Sequence, residues 1–209
     1  MSTLQKVLLG IFAVFAIAFI ATLPFERYLG DFIVKAIPAI SLSILALLAI
    51  HGSRGKLLFA ALLFCGTADA ALQLGPERYF IIGLGLFLIA HILLAVTFSR
   101  DFRIQKTMLP VVGILVTYSA VVAFILTPSL KEMAIPVYLY IAAITAMGVL
   151  AALRKANNRL PLYGAVSFIV SDSILAVNKF MMPVPADRYL IMVTYYLALL
   201  VIVYGYVKE

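Results

Sequence analysis

The chain has 209 residues, of which 65% are hydrophobic and 12% are charged, and its mean hydropathy is +1.15. No soluble domain buries so large an apolar fraction, so the composition excludes an ordinary globular protein and predicts a protein of the lipid bilayer. The net charge of +7 fits loops that meet anionic lipid headgroups, and we do not expect nucleic acid as a partner.

Eight apolar stretches follow one another along the chain, separated by charged residues or by Pro and Gly. Each is long enough to cross a hydrocarbon layer of about 30 Å as an α-helix. We therefore predict an all-α fold, a polytopic transmembrane bundle of about eight helices, as a single integral membrane domain over residues 1–209. The predicted spans are residues 4–23, 32–51, 56–74, 79–98, 107–126, 134–152, 160–178 and 187–207.

The distribution of basic residues predicts the orientation. Ten of the 16 Lys and Arg residues fall on one side of the predicted bundle and six on the other. The positive-inside rule places the side with ten in the cytoplasm, together with both termini. The small size and the lack of a targeting extension favour the cytoplasmic membrane of a bacterium.

Two aspartates interrupt apolar runs: Asp69 in GTADAALQL and Asp172 in SFIVSDSILAV. A carboxylate inside a spanning helix costs about 2.5 to 3.5 kcal/mol on insertion scales, so such residues face the protein interior and are candidates for function. The alternative interpretation is a polar clamp between helices. Counted along the third and seventh spans, both lie roughly 8 to 9 Å inside the outer boundary, which predicts a common level.

Further polar residues belong to the same half of the membrane or lie near its middle. Two lysines near outer span ends either bind an anion or extend into the headgroups. Two tyrosines lie deeper than an aromatic belt, and an asparagine precedes one of the lysines. A histidine near the middle of the fourth span is a lower-ranked candidate, since an interhelical hydrogen bond explains it equally well. These candidates are Lys35, Lys179, Tyr195, Tyr196, Asn178 and His91.

Motifs of soluble enzymes are missing from the sequence: there is no GxSxG, HExxH, CxxC or Gly-rich phosphate loop. With two His and one Cys, we expect no metal site and no cofactor. No internal repeat is evident, which argues against many secondary transporters.

The polar candidates lie in five segments: VKAIPAI, LLFCGTADAALQLGP, GLGLFLIAHILLA, GAVSFIVSDSILAVNKF and YYLALLVIVYGY. In this order, from the second span to the eighth, they resemble the YhhN-like lysoplasmalogenase family. The resemblance implies an eight-helix membrane enzyme that hydrolyses the vinyl ether bond of lysoplasmalogens. The partner would be a lysophospholipid, and the products a fatty aldehyde and glycerophosphoethanolamine or glycerophosphocholine.

The reaction that the resemblance implies requires one acid and one base or anion. Protonation of the vinyl ether carbon gives an oxocarbenium-like ion that water captures, as in the cleavage of glycosides between two carboxyl groups. Our hypothesis is that Asp69 and Asp172 form this catalytic pair. Lys35 and Lys179 would receive the phosphate, while Asn178 and the two tyrosines would position the headgroup or water.

Two other functions remain open from the sequence. Membrane aspartates near lysines also describe the proton relay of a small proton-coupled transporter. A non-catalytic lipid-binding protein would use the same carboxylates only to hold helices together. Asp172→Asn separates these readings, since it spares a clamp and abolishes acid or base catalysis.

Overall fold

The computed structural model describes residues 2–25, 27–155 and 158–209, and within them the fold is all-α and contains no strand. The predicted fold class is confirmed. Short 3-10 turns precede the fifth and sixth α-helices at Lys106–Met108 and Lys131–Met133. The α-helices of the described chain are α1 Thr3–Thr22, α2 Asp31–Ala49, α3 Gly52–Leu74, α4 Phe80–Ser99, α5 Leu109–Leu130, α6 Ala134–Ala152, α7 Leu160–Phe180 and α8 Asp187–Val207.

The described chain has seven continuous helical stretches that are long and apolar enough to cross a membrane. One of them, Lys106–Ala152, has 47 residues and comprises α5 and α6. These two helices meet at Lys131, whose φ of 47° breaks the helical path. The hydroxyl groups of Thr127 and Tyr138 lie 2.8 Å apart and join the two helices beside this turn. Each of the eight predicted spans therefore corresponds to one helix, and the chain is an integral membrane protein.

Two helix ends differ from the predicted spans by four residues, and the other differences are smaller. α3 begins at Gly52 instead of residue 56, because a helix can continue past the hydrocarbon layer with charged residues such as Arg54 in its first turns. α5 continues through Pro128 to Leu130 instead of ending at residue 126. The φ angle of proline suits a helix, and in the last turn it removes only one hydrogen bond. Hydropathy thus predicts the apolar part of each helix but not where the helix begins and ends.

The chain divides into two compact units. The first comprises residues 1–97 with 206–208, so it contains α1 to α3 and most of α4. In this unit α2 packs against both α1 and α3. The buried residues of α1 recur every three or four positions and form one helix face, as expected for a helix that packs along one side. They are Leu8, Phe12, Ala16 and Phe19.

The second unit comprises residues 98–205 with Glu209 and contains α5 to α7 and most of α8. Small residues bring α7 close to α8: a Cβ atom on Gly164 would lie 2.9 Å from the carbonyl oxygen of Ala198. The hydroxyl groups of Ser167 and Ser171 donate to backbone carbonyls of α8 at 2.7 and 3.0 Å. These contacts determine which face of α7 packs against α8.

Arg154, a predicted loop residue, is buried at one end of the second unit, with 2% of its surface exposed. Its Nε atom lies 3.2 Å from Asp101 Oδ2, and its guanidinium also contacts the carboxylate of Glu209. The side chain of Gln105 donates to the backbone carbonyl of Arg154 at 2.9 Å. These contacts tie the α4–α5 and α6–α7 connections to residue 209.

Candidate active site

Asp69 lies in a polar ladder between α2 and α3. Lys35 Nζ is 3.7 Å from Asp69 Oδ1, and Gln73 Nε2 donates to Asp31 Oδ2 at 2.6 Å. Because Asp31 and Lys35 are four residues apart on α2, and Asp69 and Gln73 are four apart on α3, the two contacts are successive rungs between antiparallel helices. We call these four residues the α2–α3 polar ladder.

The polar ladder is almost entirely enclosed. Asp69 is 2% exposed and Gln73 is 8% exposed. The Lys35 ammonium also lies 5.9 Å from the centroid of the Phe19 ring, at the distance of a cation–π contact. Burial of an unpaired charge in such surroundings costs free energy. The ion pair with Lys35 lowers this cost for the Asp69 carboxylate.

Arg27 extends the ladder toward the connection that precedes α2. One guanidinium nitrogen of Arg27 donates to the backbone carbonyl of Gln73 at 3.1 Å, although the residue as a whole is exposed. Arg27 and Asp31 also lie within electrostatic range of Lys35. The first unit therefore carries alternating charges from its edge inward to Asp69.

Asp172 has a different partner. The hydroxyl group of Tyr140 on α6, a residue that is 8% exposed, donates to Asp172 Oδ2 on α7. The neighbouring Ser173 hydroxyl bonds back to the carbonyl of Ile169 in its own helix. Asp172 is thus held between two helices of the second unit by a neutral donor that the sequence analysis did not identify.

The two predicted tyrosines of α8 lie in the protein interior. Tyr195 and Tyr196 are each 3% exposed, and their ring centroids are 5.4 Å apart. Tyr195 also makes an edge-to-face contact with Phe168 at 5.4 Å. Because Phe168 and Asp172 are four residues apart on α7, the aromatic cluster borders the helix face that carries the carboxylate.

The remaining candidates have distinct positions. The amide of Asn178 donates to Asp187 Oδ2 at 2.8 Å and accepts from the backbone N–H of Val184 at 2.9 Å, so it braces the α7–α8 connection. Lys179 is partly buried in the last turn of α7. His91 is fully buried in α4, in the first unit. Substrate contact by any of the three stays a prediction.

The depth of each carboxylate can be measured along its own helix. Asp69 lies about 7.5 Å before the end of α3 at Leu74, and Asp172 about 12 Å before the end of α7 at Phe180, at 1.5 Å per residue. The second value exceeds the predicted one because α7 continues past residue 178. That the two carboxylates share a level and form one site remains a prediction.

The sequence analysis singled out Lys35 but missed Asp31, Gln73 and Tyr140, and only some of these carried a signal in the sequence. Asp31 and Gln73 each stand four residues from a predicted site residue, and the short α2–α3 connection makes these helices neighbours. That spacing could have identified them. Tyr140 carried no such signal, because Tyr138 and Tyr140 lie in the same apolar run and only the rotation of α6 distinguishes them.

Comparison with known proteins shows which family and which relatives the chain is similar to. The sequence model of the YhhN family matches residues 30–206. Lysoplasmalogenase TMEM86A of Homo sapiens is 32% identical over 174 residues, which cover 79% of this chain and 70% of the human protein. Lysoplasmalogenase TMEM86A of Bos taurus is 31% identical with the same coverage. No solved structure matches the chain.

Proposed function

The chain belongs to the YhhN family, and from this membership we propose that it is a lysoplasmalogenase, an integral membrane hydrolase of ether lipids. The substrate is lysoplasmenylethanolamine or lysoplasmenylcholine, and the vinyl ether bond is the one cleaved. The observation that carries the proposal is the identity of 32% with a lysoplasmalogenase over 79% of this chain. Two aspartates within membrane helices, each with a polar partner, supply the chemical groups.

The reaction proceeds by transfer of a proton to carbon. One carboxyl group of the pair Asp69 and Asp172 gives its proton to the β-carbon of the vinyl ether, which leaves an oxocarbenium-like ion at the α-carbon. The other carboxylate stabilises this cation and takes a proton from the water that attacks it. The hemiacetal then breaks its bond to glycerol oxygen, which is reprotonated, and releases the aldehyde and the glycerophospho-amine.

The other predicted residues take supporting roles. The contact of 3.7 Å with Asp69 favours Lys35 as the counter-charge of that carboxylate more than as a ligand of the phosphate. Lys179 keeps its predicted role toward the phosphate. The remaining residues assigned to substrate binding are Asn178, Tyr195, Tyr196 and His91.

The membrane itself is also part of the proposal. We assign the chain to the cytoplasmic membrane of a bacterium with both termini inside, so that the site opens to the outer leaflet. The orientation, and with it the leaflet, depends on the ten-to-six distribution of basic residues.

The test is aldehyde release by the purified protein in detergent. Wild type should release aldehyde from lysoplasmenylethanolamine but not from the saturated 1-alkyl analogue, which has no double bond to protonate. In D2O the trapped aldehyde should carry one deuterium at the carbon next to the carbonyl. Absence of aldehyde from well-folded wild type would contradict the proposal.

Each aspartate contacts a neighbouring helix, so each could serve only to hold two helices together. Variants distinguish this structural role from catalysis. Asp172→Asn keeps an acceptor for the Tyr140 hydroxyl and should preserve the thermal unfolding temperature. It should lower kcat by about 10² to 10⁴, the usual contribution of a general acid or base. Unchanged kcat in this folded variant would assign Asp172 to the clamp.

A further inference from the structure

The edge of the α2–α3 polar ladder presents a cation that the reaction itself does not use. Arg27 is exposed, and its guanidinium is held at the ladder by the carbonyl of Gln73, 3.1 Å away. Guanidinium has five N–H donors in a planar fork, a geometry that matches the oxygens of a phosphate. An arginine held at one nitrogen can still present the rest of its fork outward.

Lys35, in contrast to Arg27, serves as the counter-charge of a buried carboxylate. Its side chain is 12% exposed, and its ammonium is 3.7 Å from Asp69. A phosphate there would have to share the cation with a buried carboxylate, at a cost in repulsion and desolvation. Lys35 and Arg27 thus have separate roles: Lys35 compensates the Asp69 carboxylate, and Arg27 is exposed at the edge of the ladder.

The spacing of the ladder fits the dimensions of a lysophospholipid. Gln73, which holds Arg27, and Asp69 are four residues apart on α3, which corresponds to a rise of about 6 Å along the helix. In a lysoplasmalogen the glycerol backbone separates the phosphate from the vinyl ether by a similar length. A lipid whose phosphate lies at Arg27 therefore has its vinyl ether at the depth of Asp69 and its chain deeper still.

We infer that Arg27 binds the phosphate of the substrate headgroup, and that the backbone carbonyl of Gln73 holds its guanidinium in place. The inference rests on the proposed function and adds Arg27 to the predicted ligands of the phosphate. The Gln73 side chain donates to Asp31 Oδ2 at 2.6 Å, which ties α3 to α2 beside this carbonyl. The chemical class recognised is a single-chain ether lipid with a phosphodiester headgroup.

The experiment measures binding of two uncleavable lipids to the purified protein in detergent without added phospholipid. One is 1-alkyl-lysophosphatidylethanolamine, and the other is 1-alkylglycerol, which has the same chain without the phosphate. Wild type should bind the phospholipid more tightly by about ten- to a hundredfold, the range for hydrogen bonds to a charged group. Arg27→Gln should remove most of this preference and leave alkylglycerol binding unchanged.

The matched control is Arg78→Gln. Arg78 is also exposed, in the α3–α4 connection, but its guanidinium stacks over the Tyr79 ring with 5.4 Å to the centroid. This variant should keep the wild-type preference. Arg27→Lys serves as a second variant in case the glutamine weakens folding, and it should retain only part of the preference, because an ammonium lacks the fork.

The outcomes separate this inference from the proposed function. A wild-type preference that survives Arg27→Gln, or no preference in wild type, would overturn the inference even if aldehyde is released. Displacement of the phospholipid analogue by an equal concentration of inorganic phosphate would assign Arg27 to free phosphate instead of a lipid. Aldehyde release reports on the proposed function alone, because neither analogue in the binding test can be cleaved.

Discussion

At the scale of single residues, the two aspartates differ in their partners. Asp69 faces the ammonium of Lys35 across 3.7 Å, while Asp172 accepts a hydrogen bond from the neutral hydroxyl of Tyr140. Both arrangements compensate a carboxylate that has left water. Loss of the two partners should have different consequences, because the Lys35 ammonium neutralises the charge of its carboxylate, whereas the Tyr140 hydroxyl supplies one hydrogen bond.

For Tyr140 we predict an effect on turnover. Tyr140→Phe keeps the ring and removes the donor that orients the Asp172 carboxylate, so kcat for lysoplasmenylethanolamine should fall about tenfold, as for one hydrogen bond of about 1 to 1.5 kcal/mol, with KM little changed. Tyr138→Phe is the control, since its hydroxyl pairs with Thr127 instead. Equal losses in both variants would remove Asp172 orientation as the explanation.

For Lys35 we predict an effect on stability. Lys35→Met leaves the buried Asp69 carboxylate without its ion pair, which should cost about 3 to 5 kcal/mol of the free energy of unfolding. Adding Asp69→Asn should recover part of this loss, because the uncompensated charge is then gone. Thermal unfolding in detergent measures both variants. Additive losses in the double variant would show that the two residues are not coupled.

At the scale of helices, close packing of α7 against α8 positions Asp172. Gly164 faces the backbone of α8, where an added Cβ would lie 2.9 Å from both the Ala198 carbonyl oxygen and the Ile202 nitrogen. A neighbour made of backbone cannot rotate away, so the helices themselves would have to separate. The position of Asp172 therefore depends on a residue two turns before it.

This packing predicts opposite effects for one substitution at two glycines. Gly164→Ala should destabilise the protein by about 1 to 3 kcal/mol through overpacking, and it should lower aldehyde release. Gly113→Ala, in α5 with no atom within 4 Å of the added Cβ, should stabilise by about 0.5 to 1 kcal/mol through lower backbone entropy in the unfolded chain. The difference in unfolding temperature between the two variants checks the prediction, and equal temperatures would contradict it.

At the scale of the whole molecule, charge determines orientation. Packing between helices is the same whichever end of the bundle faces the cytoplasm, whereas the cost of moving Lys and Arg across the membrane is not. The ten-to-six distribution therefore carries the orientation. An inverted protein would move the proposed site to the inner leaflet.

Orientation can be measured with single cysteines, because the one native cysteine, Cys65, is buried in α3 and can be replaced by alanine. Pro76 and Thr107 are exposed positions in connections that we predict on opposite sides. In intact cells an impermeant maleimide should label Pro76→Cys, and Thr107→Cys only after permeabilisation. The reverse pattern would place both termini outside.

The sequence alone determined the number of helices and singled out the two aspartates. A hydrocarbon layer requires apolar stretches of roughly fixed length, and a carboxylate inside one is costly enough to stand out. Helix ends were less certain, since a helix such as α5 can pass through Pro128 to Leu130 where hydropathy indicates a break.

Only the tertiary structure decided what each aspartate contacts. The choice of Tyr140 instead of Tyr138 depends on the rotation of α6, and the distance between Lys35 and Asp69 depends on how α2 lies against α3. Rotation and separation result from many small packing contacts between side chains distant in sequence. Local patterns contain the residues that make these contacts, but the pairing itself exists only once the helices have packed together.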